Sequence, residues 1–437
     1  MSQAQAPSPA PVPRAAPIPA PPGVATPATR AQASAGLAGR PTPTTEDVPR
    51  LLNRWQAIAV ATCVAFGVLA ALFQLLAWQA TGRAADNTEQ LVRVQQIQSS
   101  LFRADALATN AFLIGGLEPA DQRAEYDAAL DQVLRQITDA AEAQPADREA
   151  LAALNTEVAA YATTNAQARD NNRQGFPVGA EYLKGASAGL RTDAVRILQS
   201  LVRANTERAD TELDGQNTLP LLLTGAVAIL LLWWVNRQLA RRFRRAINRG
   251  LAAAALMILV VTLLGTFVSA QRSGSNDDLR AGDFALALDE ASARTAANDA
   301  KANESLRLIA RGSGDAYESA WTTAADQVDG AASPETLPLW EAYVARHEEV
   351  VSLDGAGSWD DAVAEATTTE AGGSSQALDA FDSASQQVID DAAFRTTDSL
   401  RSGAFTALML VSVSLLVGLA AAGAATWGIA QRRREYA

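Results

Sequence analysis

Apolar and polar positions along this chain sort into two patterns. Four stretches, 55–80, 218–235, 251–270 and 403–430, carry no charged side chain. Each reaches roughly the 20 residues that a bilayer-spanning helix needs. Elsewhere the apolar residues are spaced. Val94, Ile97, Leu101, Ala104, Ala108 and Ala111 recur at intervals of three and four, as do Leu190, Ala194, Ile197, Leu201 and Ala204. That period places one narrow apolar seam on each helix.

Breakers divide the segment between the first two spans into four helices. They fall at Gly115-Gly116, at Pro145 and at Gly175-Phe176-Pro177, with Pro119 and Pro145 near helix starts, where proline is tolerated. The plan then repeats. Ala124-Glu125-Tyr126-Asp127-Ala128-Ala129-Leu130 parallels Asp315-Ala316-Tyr317-Glu318-Ser319-Ala320-Trp321, and Ala160-Tyr161 parallels Ala342-Tyr343. Ser333-Pro334-Glu335 and Ser358-Trp359-Asp360-Asp361 mark helix starts in the second copy. The fold expected is all-α: a polytopic membrane protein with four transmembrane helices and two tandem external domains resembling four-helix bundles.

Charge orients this plan. The formal net charge is −12, but it is unevenly distributed: residues 81–217 hold 20 acids and 13 bases, and residues 273–402 hold 25 acids and 8 bases. Between spans two and three stand Arg237, Arg241, Arg242, Arg244, Arg245 and Arg249, with no acid among them, and Arg432 to Arg434 follow span four. Because cytoplasmic flanks carry the Lys and Arg excess, both termini are expected inside the cell membrane and both bundles outside. The expected boundaries are a Pro/Ala-rich tail over 1–50 and spans over 55–80, 218–236, 251–271 and 403–430. The bundles take 81–217 and 272–402, the Arg-rich inner loop 237–250 and the basic end 431–437. Span one is too long and starts too late for a cleaved signal peptide. The tail has too few large apolar residues to offset its ordering entropy and is expected to be disordered.

The candidate chemistry is sparse. Cys63 is the lone cysteine and lies in span one, so no intramolecular disulfide or thiolate cluster forms. His347 is the lone histidine; followed by Glu348 and Glu349, it reads as a solvated surface residue. Triads, phosphate-cradling loops and kinase signatures are missing from the sequence. Adjacent acid pairs such as Asp360-Asp361 point in different directions on a helix and do not converge. The expectation is a non-enzyme with no cofactor, no metal site and no nucleic-acid partner. Charge-free spans also disfavour ion transport, whereas Gly418, Ala422 and Gly423 suit close helix packing.

Two cytoplasmic features are candidate functional positions. Arg241, Arg242, Arg244 and Arg245 are expected to meet lipid head groups or an acidic partner. Thr44 and Thr45, just before Glu46 and Asp47, read either as phosphoacceptors or as a solvated tail beside a helix start.

A membrane helix, an external bundle and a returning membrane helix resemble the input half of bacterial chemoreceptor-type modules, here arranged twice. The Pro/Ala-rich tail, two external domains, short Arg-rich inner loop and basic C-terminus also resemble the actinobacterial GlnX-type four-span family. That resemblance implies amino-acid sensing, with an external solute-binding lipoprotein capturing the ligand and a cytoplasmic Ser/Thr kinase, protein kinase G, receiving the signal. It is a likeness of architecture, and it assigns no residue. Two alternatives stand beside it: a receptor binding a small ligand in its bundles, and a structural envelope scaffold. Membrane lipids are expected partners under all three, and a homo-oligomer fits each.

Overall fold

A computed structural model of the chain describes residues 48–115, 118–214, 219–243, 247–369 and 372–435. The chain divides into two units, residues 1–51 and 52–437, and the bundles and spans lie in the second. Among the described residues every regular element is helical.

Helix α1, Val48–Ile114, runs for 67 residues from the first apolar stretch to the far tip of the first bundle. Gly115 ends it at φ +66°, a left-handed conformation that costs glycine little. Helix α2, Ala120–Ala143, starts after Pro119, and α3, Arg148–Arg173, follows a single 3-10 turn at Pro145–Asp147. Gly175, at φ +74°, reverses the chain into α4, Val178–Gly189. A five-residue π turn, Leu190–Ala194, joins α4 to α5, Val195–Asp214, without a break. The core of this bundle contains Val94, Ile97, Leu101, Tyr126, Leu154, Tyr161 and Leu198.

The seam on α1 is buried as its spacing predicts, from Val94 to Ala111. The seam on α4–α5 differs. Leu190, Ala194 and Leu201 are buried, but the other inward positions are Leu198 and Asn205, not Ile197 and Ala204. The π turn is the reason. It fits an extra residue into one turn, so two successive intervals of four, Leu190 to Ala194 to Leu198, precede the regular spacing that resumes at Leu201 and Asn205.

Helices α6, Leu219–Phe243, and α7, Arg249–Ala281, come next, then the second bundle: α8, Asp283–Ile309; α9, Asp315–Ala331; α10, Leu337–Gly355; α11, Trp359–Thr367; and α12, Ser374–Ser402. Its core gathers Trp321, Trp340, Tyr343 and Phe381 around the alanines of α8. Helix α13, Ala404–Glu435, closes the chain.

Among the described residues, four helices are long and apolar enough to cross a membrane: the first part of α1, α6, α7 and α13. Leu223, Leu230, Phe267 and Leu416 face outward, whereas Phe66, Leu232, Ile258 and Ala425 pack inside. Without water between them, membrane helices gain chiefly from close packing. Here Gly67 of α1 meets Gly418 of α13 backbone to backbone, and a Cβ added to Gly67 would stand 2.9 Å from Gly418 Cα. At the opposite end of these spans from the bundles, Asn248 caps α7 through Gly250 N at 3.0 Å and donates to Gly428 O at 2.9 Å.

The two bundles share apolar contacts. Val92 of α1 packs with Ala287, Ala291 and Ile389, and Leu113 packs with Leu308 and Val350. Helix α1 therefore packs in the core of the first bundle and in two smaller apolar clusters shared with the second.

Candidate functional site

Each bundle buries a carboxylate on its first helix that is met by a tyrosine from its third. In the first bundle the carboxylate is Asp105 of α1, fully buried beside the seam residue Ala104. Its Oδ1 accepts from Tyr161 Oη at 3.1 Å and from Ser187 Oγ at 2.6 Å, and its Oδ2 accepts from Arg191 Nη1 at 2.9 Å. A buried charge is tolerated when it is paired and its lone pairs are filled, and both conditions hold here. Burial, together with the neighbouring Asp105 charge, pushes the Tyr161 hydroxyl well above its ordinary range, so it stays a donor.

Arg191 lies within the π turn, and its guanidinium reaches the second bundle. Its Nε lies 2.8 Å from Asp299 Oδ1 of α8, and Nη2 contacts the same oxygen. Burial works against its charge, but Asp105 and then Asp299 outweigh it and raise its pKa. Asp299 itself is raised, since desolvation exceeds what Arg191 returns.

Further bonds run along the same boundary. Arg103 of α1 pairs with Asp379 of α12. Asn110 Nδ2 donates to Ser375 Oγ at 3.2 Å, and Gln96 Nε2 to Asp390 Oδ1 at 2.9 Å. Arg294 of α8 holds Asp382 through two 2.9 Å bonds and donates to Ser99 Oγ of α1 at 3.0 Å. Burial opposes ionisation of Asp382, but Arg294 and Arg103 overcome it and lower its pKa.

In the second bundle the carboxylate met by the tyrosine is Glu304 of α8. It accepts from Lys301 Nζ at 2.7 Å, Ser374 Oγ at 2.9 Å and Tyr343 Oη at 3.3 Å, and it meets His347 Nδ1 at 2.9 Å. Burial alone would raise its pKa, but Lys301 and His347 prevail and bring it to about 2. His347 Nε2 lies 3.4 Å from Glu318, and the ring stacks on Trp321 with centroids 3.7 Å apart. Desolvation would lower the imidazole, but the bonds to the two carboxylates raise it.

His347 is thus not a solvated surface residue. Only 2% of it is exposed. Its sequence neighbours Glu348 and Glu349 face solvent, but on α10 His347 falls on the same inward face as Trp340 and Tyr343. Asp105, Arg191 and Asp299 are silent in the sequence because ion pairs between distant helices leave no local pattern, while Lys301 and Glu304 read as an ordinary i,i+3 pair on one helix whose burial the sequence does not announce. The parallel Ala-Tyr pairs ending at Tyr161 and Tyr343 are the available signal.

Of the candidates expected on the cytoplasmic side, Arg241 and Arg242 both stand exposed on the last turn of α6. Arg244, Arg245, Thr44 and Thr45 lie outside the described residues. The structure brings neither described arginine into the buried carboxylate sites.

These paired networks lie in two helical bundles carried on helices long and apolar enough to cross a membrane. Residues 80–214, from the outer part of α1 to the end of α5, match the model of a family described as an actinobacterial sensor domain. The match takes in Asp105, Tyr161, Ser187 and Arg191, and it supports a sensing or signalling role in an actinobacterial protein. No curated protein and no solved structure matches the chain.

Proposed function

We propose that this chain is a transmembrane signal transducer, in which binding of an external solute-binding lipoprotein to the bundles is passed through the membrane helices to a cytoplasmic Ser/Thr kinase. The observation that supports it is Arg191. A single guanidinium binds the buried carboxylate of one bundle and an aspartate of the other, so a change in the angle between bundles alters both ion pairs. A partner that binds one arrangement better than the other shifts the population, limited by its affinity difference. The continuous α1 would carry that shift into the spans. Amino acids as the ultimate stimulus, and the kinase as receiver, come from the architectural resemblance to the GlnX-type family.

A partner is favoured over a small molecule held directly between the bundles. The crevice lined by Arg103, Asn110, Lys301, Ser375 and Asp379 has the right polarity for an amino acid, but only about 20 Å³ of room. That suits roughly one water molecule.

The test is affinity purification of the tagged full chain from membranes. A solute-binding lipoprotein and a Ser/Thr kinase should co-purify, and Arg191→Gln should lower the kinase response to external amino acid. Recovery of neither partner, or an unchanged response in the variant, would overturn the reading.

A further inference from the structure

The four membrane helices separate at the bundle side of the spans around a cavity of about 270 Å³. Its walls are apolar and come from Phe73 and Ala77 of α1, Leu221 of α6, Val268 of α7 and Leu410 of α13. Gln74 closes the floor, its Oε1 accepting from Ser414 Oγ at 3.0 Å. Gly265 keeps the space open: a Cβ there would stand 2.6 Å from Leu221 Cδ2 and 3.3 Å from Gln74 Nε2.

Two arginines stand at the rim, and their situations differ. Arg83 is neutralised by Glu212, with Nε–Oε1 and Nη2–Oε2 distances of 2.8 Å. Arg272 lies two positions beyond the charge-free run 251–270, half-buried on the wall of the cavity. Its hydrogen bond goes to the neutral Gly403 carbonyl at 3.2 Å. Among the described residues no carboxylate lies within ion-pair distance of it. A guanidinium at the edge of an apolar cavity, lacking a counter-ion, calls for an anion from outside the chain.

The site's depth identifies that anion. Arg272 stands at the level where an apolar span gives way to the polar head-group layer, and lipid phosphates occupy that level. The cavity lies below the roughly 300–1,000 Å³ of a pocket enclosing a whole drug-sized ligand. It therefore suits one acyl chain whose head remains outside. We propose that this is a binding site for an anionic phospholipid of the bundle-side leaflet, with one acyl chain in the cavity and the phosphate on Arg272.

The proposal does not depend on which partners the bundles recruit. It does place a lipid between the elements that join both bundles to the spans, so occupancy would set how firmly α1, α6, α7 and α13 are held together there.

The full chain, purified in detergent and exchanged with phosphatidylglycerol or phosphatidylcholine, can be examined by native mass spectrometry. The wild type should retain one phosphatidylglycerol in preference to phosphatidylcholine. Arg272→Gln should reduce that preference about fivefold to tenfold, as expected for loss of one phosphate-facing cation, and Arg272→Lys should restore part of it. Ala77→Phe, which fills the cavity, should lower retention of both lipids. Equal retention of the two lipids by the wild type, an unchanged preference in Arg272→Gln, or displacement of the lipid by inorganic phosphate alone would each overturn the proposal. If Ala77→Phe fails to fold, the two Arg272 variants still decide the question.

Discussion

Arg191 of the first bundle and Asp299 of the second are 108 positions apart in sequence and 2.8 Å apart in space. The same guanidinium neutralises Asp105, whose side chain is fully buried. Arg191→Met should therefore leave a buried charge without its counter-ion and cost about 3–5 kcal/mol. Asp299→Asn keeps Asp105 paired and should cost about 1 kcal/mol. Thermal unfolding of the purified full chain would rank the two. A Met variant as stable as the wild type would mean that Asp105 is neutral or reached by water.

The second bundle predicts a pH dependence with two limbs. His347 has its pKa raised above 6.5 on folding, so its contribution is complete below that pH and is lost as pH climbs through the raised native value. Glu304 moves from 4.5 to about 2, so its contribution is complete above pH 4.5 and is lost as pH falls toward the native value. Stability should peak between the two unfolded values. His347→Gln should flatten the alkaline limb while leaving most of the acid limb, as read from melting temperatures across the range. An alkaline limb of unchanged depth in the variant would assign it to another group.

The membrane contact between Gly67 and Gly418 leaves no space for a side chain. A Cβ on Gly67 would meet Gly418 Cα at 2.9 Å and the Ser414 carbonyl at 3.1 Å, both backbone atoms that cannot swing aside. Gly67→Val should force α1 and α13 apart and cost about 1–3 kcal/mol. Gly82, on the same helix, has nothing within 4 Å of an added Cβ. Gly82→Ala should be neutral or slightly stabilising, because alanine loses less chain entropy in a helix. Melting temperatures of the two variants in the same detergent would make the comparison, and equal effects would contradict the packing.

The helical architecture is legible in the sequence because membrane solvent and helix periodicity both act locally. A charge-free run of sufficient length has few uses other than spanning, and the Val94-to-Ala111 spacing states its own inward face. The α4–α5 seam departs from its spacing across the π turn at Leu190–Ala194, which no residue type in the sequence announces. The buried networks are hidden for a related reason. In sequence, Asp105 and Glu304 look like other acids on acidic helices. Their burial depends on partners between 3 and 86 positions away in the chain, from Lys301 to Arg191. His347 looks solvated beside its adjacent glutamates, but on a helix those lie on other faces.

The last prediction concerns the arginines at the end of α6, opposite the bundles. Arg237 is engaged, its guanidinium 5.2 Å from the Trp233 ring centroid, an arrangement suited to anchoring a helix at the membrane boundary. Arg241 and Arg242 stand one turn beyond it on the same helix. If signal output leaves through this end, Arg241→Gln with Arg242→Gln should weaken kinase recruitment, whereas Arg237→Gln should disturb anchoring and leave recruitment near normal. Topology must be checked in the same cells, because removing positive flanks can invert a membrane protein. Cysteines at Thr192 and Thr322 serve on a Cys63→Ala background, since both positions are exposed on the bundles. Both should react with an impermeant thiol reagent in intact cells. Ser187 and Ser333 would be poor choices, being buried and hydrogen-bonded. Labelling unchanged from the parent, together with kinase recovery lowered in the Arg241/Arg242 variant alone, would locate the output at this helix end. Full recovery with normal labelling would make these arginines lipid anchors and shift attention to Thr44 and Thr45.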